Sequence, residues 1–274
     1  MIGSLRCCPL YEESEVFIFV DGPRDECDRE AVAAVTDFAH TITPHVFSSP
    51  LNKGLGASII AGVTTIIRQY GRAIVLEDDL RLMPGFLLYM NESLDRYQND
   101  KRIIAACGYG LKVKRPKDYT GDVYLGERAS SWGWGTWADR WNAVDWEVKD
   151  FQELASNKAD QKAFNRGGSD MYGMLKDYME GRNHSWAIRF CYAQYRQGLY
   201  SVHPFKSLVT NEGYGVDATN CTQSYSRFKV ELSDAMQFEM PKELMPDEQI
   251  LRQVRWYHSI PLRIYSKIRK ILNL

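Results

Sequence analysis

In the first part of the chain, short apolar runs alternate with longer segments whose apolar residues recur at helical spacing. Residues 16–20 are β-branched or aromatic and lead into Asp21-Gly22-Pro23, which predicts a strand followed by a turn. Strand–helix alternation of this kind predicts βαβ units, and hence an α/β fold with a mostly parallel sheet and helices on both faces. The predicted strands are 16–20, 45–48, 72–76 and 102–107, and the predicted helices are 28–40, 54–70 and 84–97.

The pattern changes after residue 111, where a basic loop over 112–122 precedes a segment rich in Trp and Gly. Beyond that segment the spacing predicts mainly helices, at 151–157, 170–181 and 186–197, with short strands at 199–202 and 207–209. The last 20 residues predict a basic, apolar helix. Because no internal repeat or low-complexity linker separates the two halves, we expect one composite domain.

Composition excludes several classes of protein. The formal net charge of -1 and pI near 6.5 argue against a globally basic nucleic-acid-binding protein. No apolar run reaches the ~18 residues of a membrane-spanning helix, and residues 1–6 lack the apolar stretch of a signal peptide, so we expect a cytoplasmic protein. The six cysteines form no metal-binding spacing, which favours free, buried thiols.

The strongest chemical feature is an acidic motif, Glu77-Asp78-Asp79, at the end of a predicted buried strand. In open α/β sheets ligands bind beyond the carboxyl ends of strands. Three carboxylates repel one another there, and a divalent cation such as Mg²⁺ or Mn²⁺ would offset that repulsion. The alternative is a solvated acidic turn before the helix that starts near Pro84.

Two weaker signals accompany the motif. Asp21 ends another predicted strand, where a carboxylate accepts a hydrogen bond from a nucleobase or forms an ordinary Asx turn. The segment 52–56 (Asn-Lys-Gly-Leu-Gly) precedes a predicted helix, where backbone N–H groups and Lys53 favour an anion such as phosphate.

The order of these three segments resembles that of GT-A type nucleotide-sugar glycosyltransferases, in particular family-2-like bacterial enzymes and N-acetylglucosaminyltransferase I. Three further segments support the resemblance: 131–137 (Ser-Trp-Gly-Trp-Gly-Thr-Trp), 185–190 (Ser-Trp-Ala-Ile-Arg-Phe) and 211–215 (Asn-Glu-Gly-Tyr-Gly). The resemblance implies a Rossmann-like GT-A domain over 1–228, with a nucleotide-binding part at about 10–110 and an acceptor part at about 111–228, followed by a helical tail over 229–274. It also implies inverting, metal-dependent transfer of a sugar from a nucleotide diphosphate, such as a UDP-sugar, to a glycan or lipid-linked acceptor.

Carried over residue by residue, the resemblance implies roles for the motif positions. Asp79 is expected to bind Mn²⁺ or Mg²⁺, with Glu77 and Asp78 beside the ribose and donor sugar. Asp21 is expected to face the base, and Lys53 to stabilise the leaving diphosphate. The expected acceptor wall is Trp132, Gly133 and Trp134.

Two features depart from the family pattern. Only about 15 residues precede the strand at 16–20, too few for the first strand and helix of the family, so we expect that strand to be missing. The catalytic base is also unassigned, and its candidates are His184, Asp170 and Glu212. An exposed loop histidine is the ordinary alternative for His184. Residues 217–220 are expected to form either a lid over the nucleotide or an ordinary loop.

Two other classes of function stay open. A missing first strand also fits a non-catalytic relative that binds a sugar or another protein. A nucleotidyltransferase would use the same acidic metal site but leaves the Trp-Gly segment unexplained.

The C-terminal helix is itself amphipathic. From residue 261 onward Ile264, Tyr265, Ile268, Ile271 and Leu272 fall within an arc of roughly 120°, opposite basic residues. This pattern predicts either docking on an anionic membrane, on the inner face where a lipid-linked acceptor lies, or packing of the apolar stripe on the protein body.

Overall fold

The computed structural model of the protein describes residues 1–213 and 230–272. Its strands are β1 (Ile18–Val20), β2 (Val46–Ser48), β3 (Arg72–Val75), β4 (Leu80–Leu82), β5 (Ile103–Cys107), β6 (Val123–Gly126), β7 (Trp134–Trp137), β8 (Tyr200–Pro204) and β9 (Val209–Asn211). Its α-helices are α1 (Ile2–Arg6), α2 (Arg29–His40), α3 (Leu55–Tyr70), α4 (Phe86–Tyr97), α5 (Ala138–Asn142), α6 (Phe151–Ser156), α7 (Lys158–Phe164), α8 (Met171–Met179), α9 (Trp186–Arg196), α10 (Glu248–Tyr257) and α11 (Ile260–Leu272). The expectation of an α/β protein is therefore confirmed.

The central sheet has five strands in the order β3-β7-β5-β8-β6. Only the β5–β8 pair is parallel, while β3–β7, β5–β7 and β6–β8 are antiparallel. The expectation of a mostly parallel sheet is wrong for this sheet, because β6 and β7 insert from the second half of the chain. Neither strand has the long apolar run that marked the strands of the first half.

Strand β7 enters the sheet because its small residues allow close approach. A Cβ atom on Gly135 would lie 2.9 Å from the carbonyl oxygen of Ala73 on β3. The Thr136 hydroxyl donates a hydrogen bond to the Ile104 carbonyl of β5 at 2.7 Å. The Trp-Gly-Thr-Trp sequence therefore forms a central strand with rings at both ends.

Helices cover both faces of the central sheet. One apolar cluster joins α4 and α10 to the sheet, and a second joins α3 and α9 to its other face. Strand β5 contributes to both clusters, with Ile103 and Ala106 in the first and Ile104, Ala105 and Cys107 in the second. Met240 and Leu244, which follow residue 230, also pack into the first cluster.

Strands β1 and β2 form a separate two-stranded parallel sheet. It lies against α3, where the Phe19 ring is 3.2 Å from the position of a Cβ atom on Gly62. Much of this part remains open to solvent, since Phe19 is 40% and Phe47 is 46% exposed. A third, antiparallel pair, β4–β9, follows the acidic motif.

No helix in the described ranges is both long and apolar enough to cross a bilayer.

Candidate functional site

The register of the central sheet brings the acidic motif and the Trp-Gly segment to one edge. Val75, at the end of β3, pairs with Trp134, at the start of antiparallel β7, and Cys107 at the end of β5 also pairs with Trp134. The residues after Val75 and those before Trp134 therefore leave the sheet together. The Gly108 N–H group donates to the Gly133 carbonyl at 2.6 Å, which holds the exits of β5 and β7 in contact.

Asp79 lies where β3 passes into β4, beneath the turn that ends β9. Its Oδ2 atom accepts a hydrogen bond from the Asn211 side chain at 2.8 Å, and its carbonyl accepts one from the Glu212 N–H at 2.8 Å. A Cβ atom on Gly213 would lie 2.9 Å from the same Oδ2, so glycine allows this turn to close over the carboxylate. Asn211 is a contact to which sequence reasoning assigned no role.

The other carboxylate oxygen of Asp79, Oδ1, lacks a hydrogen-bond partner among the described residues. Oδ1 is buried and accepts no hydrogen bond from any residue in the described part of the chain. A buried carboxylate oxygen without a donor is costly, because the lost hydration is not replaced. A ligand that supplies a donor or a positive charge would therefore bind here favourably.

Charge repulsion within the acidic motif also favours the binding of a cation. Burial and the neighbouring carboxylates of Asp79 and Asp78 raise the pKa of Glu77 to about 7. Within residues 1–213 and 230–272, no three His, Cys, Asp or Glu side chains converge as a metal site. Magnesium-like ions often use only one or two protein carboxylates, with water and phosphate completing the shell, and Asp79 fits that role.

Asp21 joins the end of β1 to the start of α3. Its carboxylate accepts hydrogen bonds from the N–H groups of Gly22 at 3.0 Å, Lys53 at 3.0 Å and Gly54 at 2.8 Å. Burial alone would raise the pKa of Asp21, but these bonds and one from the Ser58 side chain hold it below its usual value. Asp21 therefore orders the predicted phosphate segment, and its contact with a nucleobase stays a prediction.

The first turn of α3 also contacts the 183–185 segment. A Cβ atom on Gly56 would lie 2.3 Å from the carbonyl oxygen of His184, so the two backbones touch. Arg189 of α9 is buried beside them and donates to the carbonyl of Trp146 at 2.9 Å. The N-terminus of α3 thus lies between exposed Lys53 and buried Arg189. Arg189 belongs to the 185–190 segment, and the sequence predicted no role for it.

A cavity of about 300 Å³, the Trp132 pocket, opens beside the exits of β5 and β7. The half-buried Trp132 ring meets the Tyr109 ring edge-to-face, with centroids 4.7 Å apart. A larger, open depression of about 580 Å³ lies beside α4 and contains none of the predicted site residues. The lining of the Trp132 pocket is Tyr109, Leu111, Arg128, Ala129, Ser130, Ser131, Trp132, Asp170, Met174, Ser185, Ala187, Ile188, Cys191, His203 and His258.

Trp134 and Gly133, the other two expected members of the acceptor wall, are absent from this lining. Trp134 is 1% exposed and stacks on Trp186 at 4.8 Å, so the prediction that it contacts an acceptor is wrong. Gly133 has a φ of +59°, and a Cβ atom on it would lie 2.8 Å from the Phe86 ring. Its role is to let the backbone turn against Phe86, while Trp132 is the ring of this segment that lines a cavity.

The three base candidates occupy different places. Asp170 lines the Trp132 pocket, but its Oδ1 atom is 2.9 Å from Arg128 Nη1 and 3.7 Å from Arg263 Nη1. Burial would raise the pKa of Asp170, yet the charge and hydrogen bond of Arg128, followed by Arg263, hold it low. A carboxylate held in its ionised form by two guanidinium groups is a weak proton acceptor.

Glu212 and His184 are both exposed. Glu212 is next to Asp79 through the backbone, and its side chain lies 3.4 Å from Arg81. His184 follows α8 and contacts α3 through its carbonyl. The structure does not bring these two groups into one cluster with Asp170.

Two residues that line the Trp132 pocket, Arg128 and His203, were not predicted from the sequence to be functional. Arg128 follows β6, in a segment without a recognisable motif. His203 was expected to be a packing residue, and it is indeed 5% exposed, with its ring nitrogens 3.0 Å and 3.1 Å from the carbonyls of Tyr109 and Arg128. The expected lid over 217–220 lies outside the described residues.

The sequence matches no protein-family profile, and a search of curated proteins finds no relative.

Proposed function

We propose that this protein is a metal-dependent glycosyltransferase that moves a sugar from a nucleotide diphosphate, such as a UDP-sugar, to a glycan or lipid-linked acceptor. One juxtaposition carries the proposal. The buried Oδ1 of Asp79, without a hydrogen-bond partner among the described residues, lies at the same sheet edge as the aromatic Trp132 pocket. A cation-binding carboxylate beside a cleft with an aromatic wall suits a donor that joins a diphosphate to a sugar.

Asp79 is the proposed ligand for Mn²⁺ or Mg²⁺. Such an ion would offset negative charge on the leaving diphosphate. Its binding would also offset the repulsion from Asp79 and Asp78, which adds to burial in raising the pKa of Glu77 to about 7. Asn211 holds the second oxygen of Asp79 at 2.8 Å and so keeps the buried oxygen in place.

The N-terminus of α3 is the proposed diphosphate contact. Gly54 begins the helix with a φ of +78°, and the side chain of Lys53 is exposed beside it. Free N–H groups at a helix N-terminus favour an anion, and Lys53 adds a full charge. Asp21 fixes the Lys53 and Gly54 backbone, so the segment is ordered before any ligand binds.

The Trp132 pocket is the proposed acceptor site. Apolar faces of a sugar stack on rings such as Trp132, while the hydroxyls of Ser130 and Ser131 supply polar partners. The base that removes the acceptor proton is proposed to be Glu212 or His184, because Asp170 is engaged by Arg128 and Arg263. Inversion at the anomeric carbon follows from the family resemblance alone.

A donor-hydrolysis screen tests the proposal. The wild-type protein is incubated with UDP-, GDP- and dTDP-sugars in Mn²⁺ or in EDTA, and release of the nucleoside diphosphate is measured. We expect Mn²⁺-dependent hydrolysis of one donor class, lost in Asp79→Asn. Binding of a free sugar without hydrolysis of any donor would favour the non-catalytic alternative, and pyrophosphate release from a nucleoside triphosphate would favour a nucleotidyltransferase.

A further inference from the structure

Helix α11 presents an apolar stripe to solvent at the end of the described chain. Ile264 is 52%, Tyr265 is 51% and Ile268 is 49% exposed. At about 100° per residue these side chains span roughly 100° of the helix, and the sequence places Ile271 and Leu272 in the same arc. In the described part of the stripe, these three side chains therefore do not pack into the protein body.

The opposite side of α11 is the one that contacts the protein. Leu262, Ser266 and Arg269 are half-buried, and Leu262 packs against the main apolar cluster. Arg263 reaches Ser169 at 3.3 Å and Asp170 at 3.7 Å. The helix is thus held by its first turn in an orientation that turns its apolar stripe away from the body.

The charge of this region is strongly one-sided. After Glu248 the chain contains no Asp or Glu, and its basic residues are Arg252, Arg255, Arg263, Lys267, Arg269 and Lys270. Lys267 is exposed beside the stripe. Arg252 and Arg255 pair with Glu248, Arg255 also with Glu127, and Arg263 with Asp170. The positive charge beside the stripe therefore comes from the later part of α11, which carries Lys267, Arg269 and Lys270.

A further exposed aromatic residue precedes α11 in the chain. Trp256, in the last turn of α10, is 60% exposed, although its neighbour Tyr257 is buried. Trp and Tyr favour the boundary between lipid headgroups and acyl chains, because their rings are apolar with one polar atom. Trp256 and Tyr265 supply both types as exposed rings in this part of the chain.

We propose that α11, with Trp256, docks the protein on the surface of an anionic lipid bilayer. The exposed isoleucines would enter the headgroup boundary, and the basic residues of the later turns, Lys267 first, would contact anionic headgroups. A bilayer fits these observations better than a protein groove, because it accepts a stripe flanked by several cations without matching acidic residues one by one.

The docked helix would also hold the Trp132 pocket near the membrane. Arg263 contacts Asp170, and Asp170 lines that pocket. If the function proposed above holds, the geometry points to a lipid-linked acceptor rather than a free glycan, and this part rests on that proposed function. Docking itself does not depend on catalysis, so its test uses binding alone.

The test is co-sedimentation of the full-length protein with phosphatidylcholine vesicles and with vesicles containing ~30 mol% phosphatidylglycerol. We expect wild type to pellet with the anionic vesicles at least about tenfold better, and the difference to fall between about 0.1 M and 0.5 M salt. Ile264→Asp with Ile268→Asp should abolish pelleting. Lys267→Gln should weaken partition about fivefold, since each cation near the surface contributes ~1 kcal/mol.

A matched control separates docking from a general effect of charge. Val35→Asp with Phe38→Asp makes the same charge change at two apolar residues of α2, which are 54% and 59% exposed. That variant should pellet like wild type, and thermal melts should show that both double variants fold. Equal pelleting with neutral and anionic vesicles would overturn the proposal, as would unchanged pelleting of the α11 variant. So would a wild-type dimer that dissociates in that variant without any vesicle binding, because a second copy would then cover the stripe.

Discussion

At the scale of single residues, the tryptophans of the Trp-Gly segment have two different roles, in the core and in the pocket lining. Trp134 and Trp137 are 1% and 5% exposed and belong to the core, whereas Trp132 is half-buried and lines a cavity. Trp134 and Trp137 are three residues apart in β7, so their rings lie on opposite faces of the sheet, Trp137 in the first apolar cluster and Trp134 in the second. Sequence alone leaves core and cleft rings equivalent, because both are bulky and apolar.

Alanine substitutions should separate the two tasks. Trp134→Ala removes a buried ring that contacts Trp141, Trp186 and Phe190, and should lower the free energy of unfolding by roughly 3–5 kcal/mol. Trp132→Ala should cost less stability and should reduce transfer to an acceptor more than donor hydrolysis. Urea unfolding and the two assays measure these effects. A Trp132 variant as unstable as the Trp134 variant would assign Trp132 to the core.

Asp170 supplies a test by pH. The Arg128 ion pair holds the pKa of Asp170 below its usual value, so this carboxylate stabilises the fold when ionised. That contribution is present above the unfolded pKa of about 3.9, and it disappears as the pH falls through the lower folded pKa. Asp170→Asn should therefore destabilise the protein by about 1–3 kcal/mol at pH 7.

Below about pH 4 the difference between Asp170→Asn and wild type should shrink. Urea unfolding between about pH 3 and pH 8 measures it. Asp118→Asn, which removes a carboxylate from the exposed basic loop, is the control and should have little effect at any pH. A constant difference down to pH 3 would show that the ion pair is not its cause.

At the scale of elements, most strands and helices could be predicted from their patterns, but their pairing could not. The predicted helix 54–70 agrees with the observed α3 to within one residue. The agreement is close because the apolar residues keep helical spacing and Gly71 ends the helix. Strand β7 was not predicted, because Gly and Thr interrupt its apolar run, and the sheet was therefore expected to be mostly parallel. Pairing depends on contacts such as Gly135 with Ala73, which are distant in sequence.

Two glycines inside helices should respond in opposite directions to alanine. Gly56→Ala in α3 would bring a Cβ atom within 2.3 Å of the His184 carbonyl, so backbone must move at a cost of about 1–3 kcal/mol. Gly173→Ala in α8 meets nothing within 4 Å and should stabilise the protein by about 0.5–1 kcal/mol. Thermal and urea unfolding of the two variants provide the comparison. Stabilisation by Gly56→Ala would contradict the described contact between α3 and the 184 segment.

At the scale of the whole molecule, stability is expected to be uneven. Strand β5 is fully buried, with Ile103 through Cys107 at 0% exposure. In contrast, β1 and β2 form a two-stranded sheet of three residues each, and such a sheet is marginal without further packing. Much of α2, which packs beside these strands, is exposed to solvent.

Hydrogen exchange should report this difference directly. Amides of β1 and β2 should exchange at least about 100-fold faster than those of β5, because local opening exposes them without unfolding the central sheet. Peptides covering 18–20, 46–48 and 103–107 allow the comparison by mass spectrometry. A nucleotide that binds at the N-terminus of α3 should slow exchange in β1 and β2 most. Equal protection of the three strands without ligand would contradict a separate, weaker unit.

The central claim is that Asp79 binds a divalent cation that in turn helps to bind a nucleoside diphosphate. Isothermal titration of the protein with UDP, GDP and dTDP, in Mn²⁺ and in EDTA, tests this claim most directly. We predict that Mn²⁺ raises the affinity for at least one of these nucleotides tenfold or more, about 1.4 kcal/mol. Asp79→Asn should abolish that gain with little change in the thermal melt, while Asp118→Asn should bind like wild type. The same affinity for all three nucleotides with and without Mn²⁺ in the wild-type protein would contradict the account.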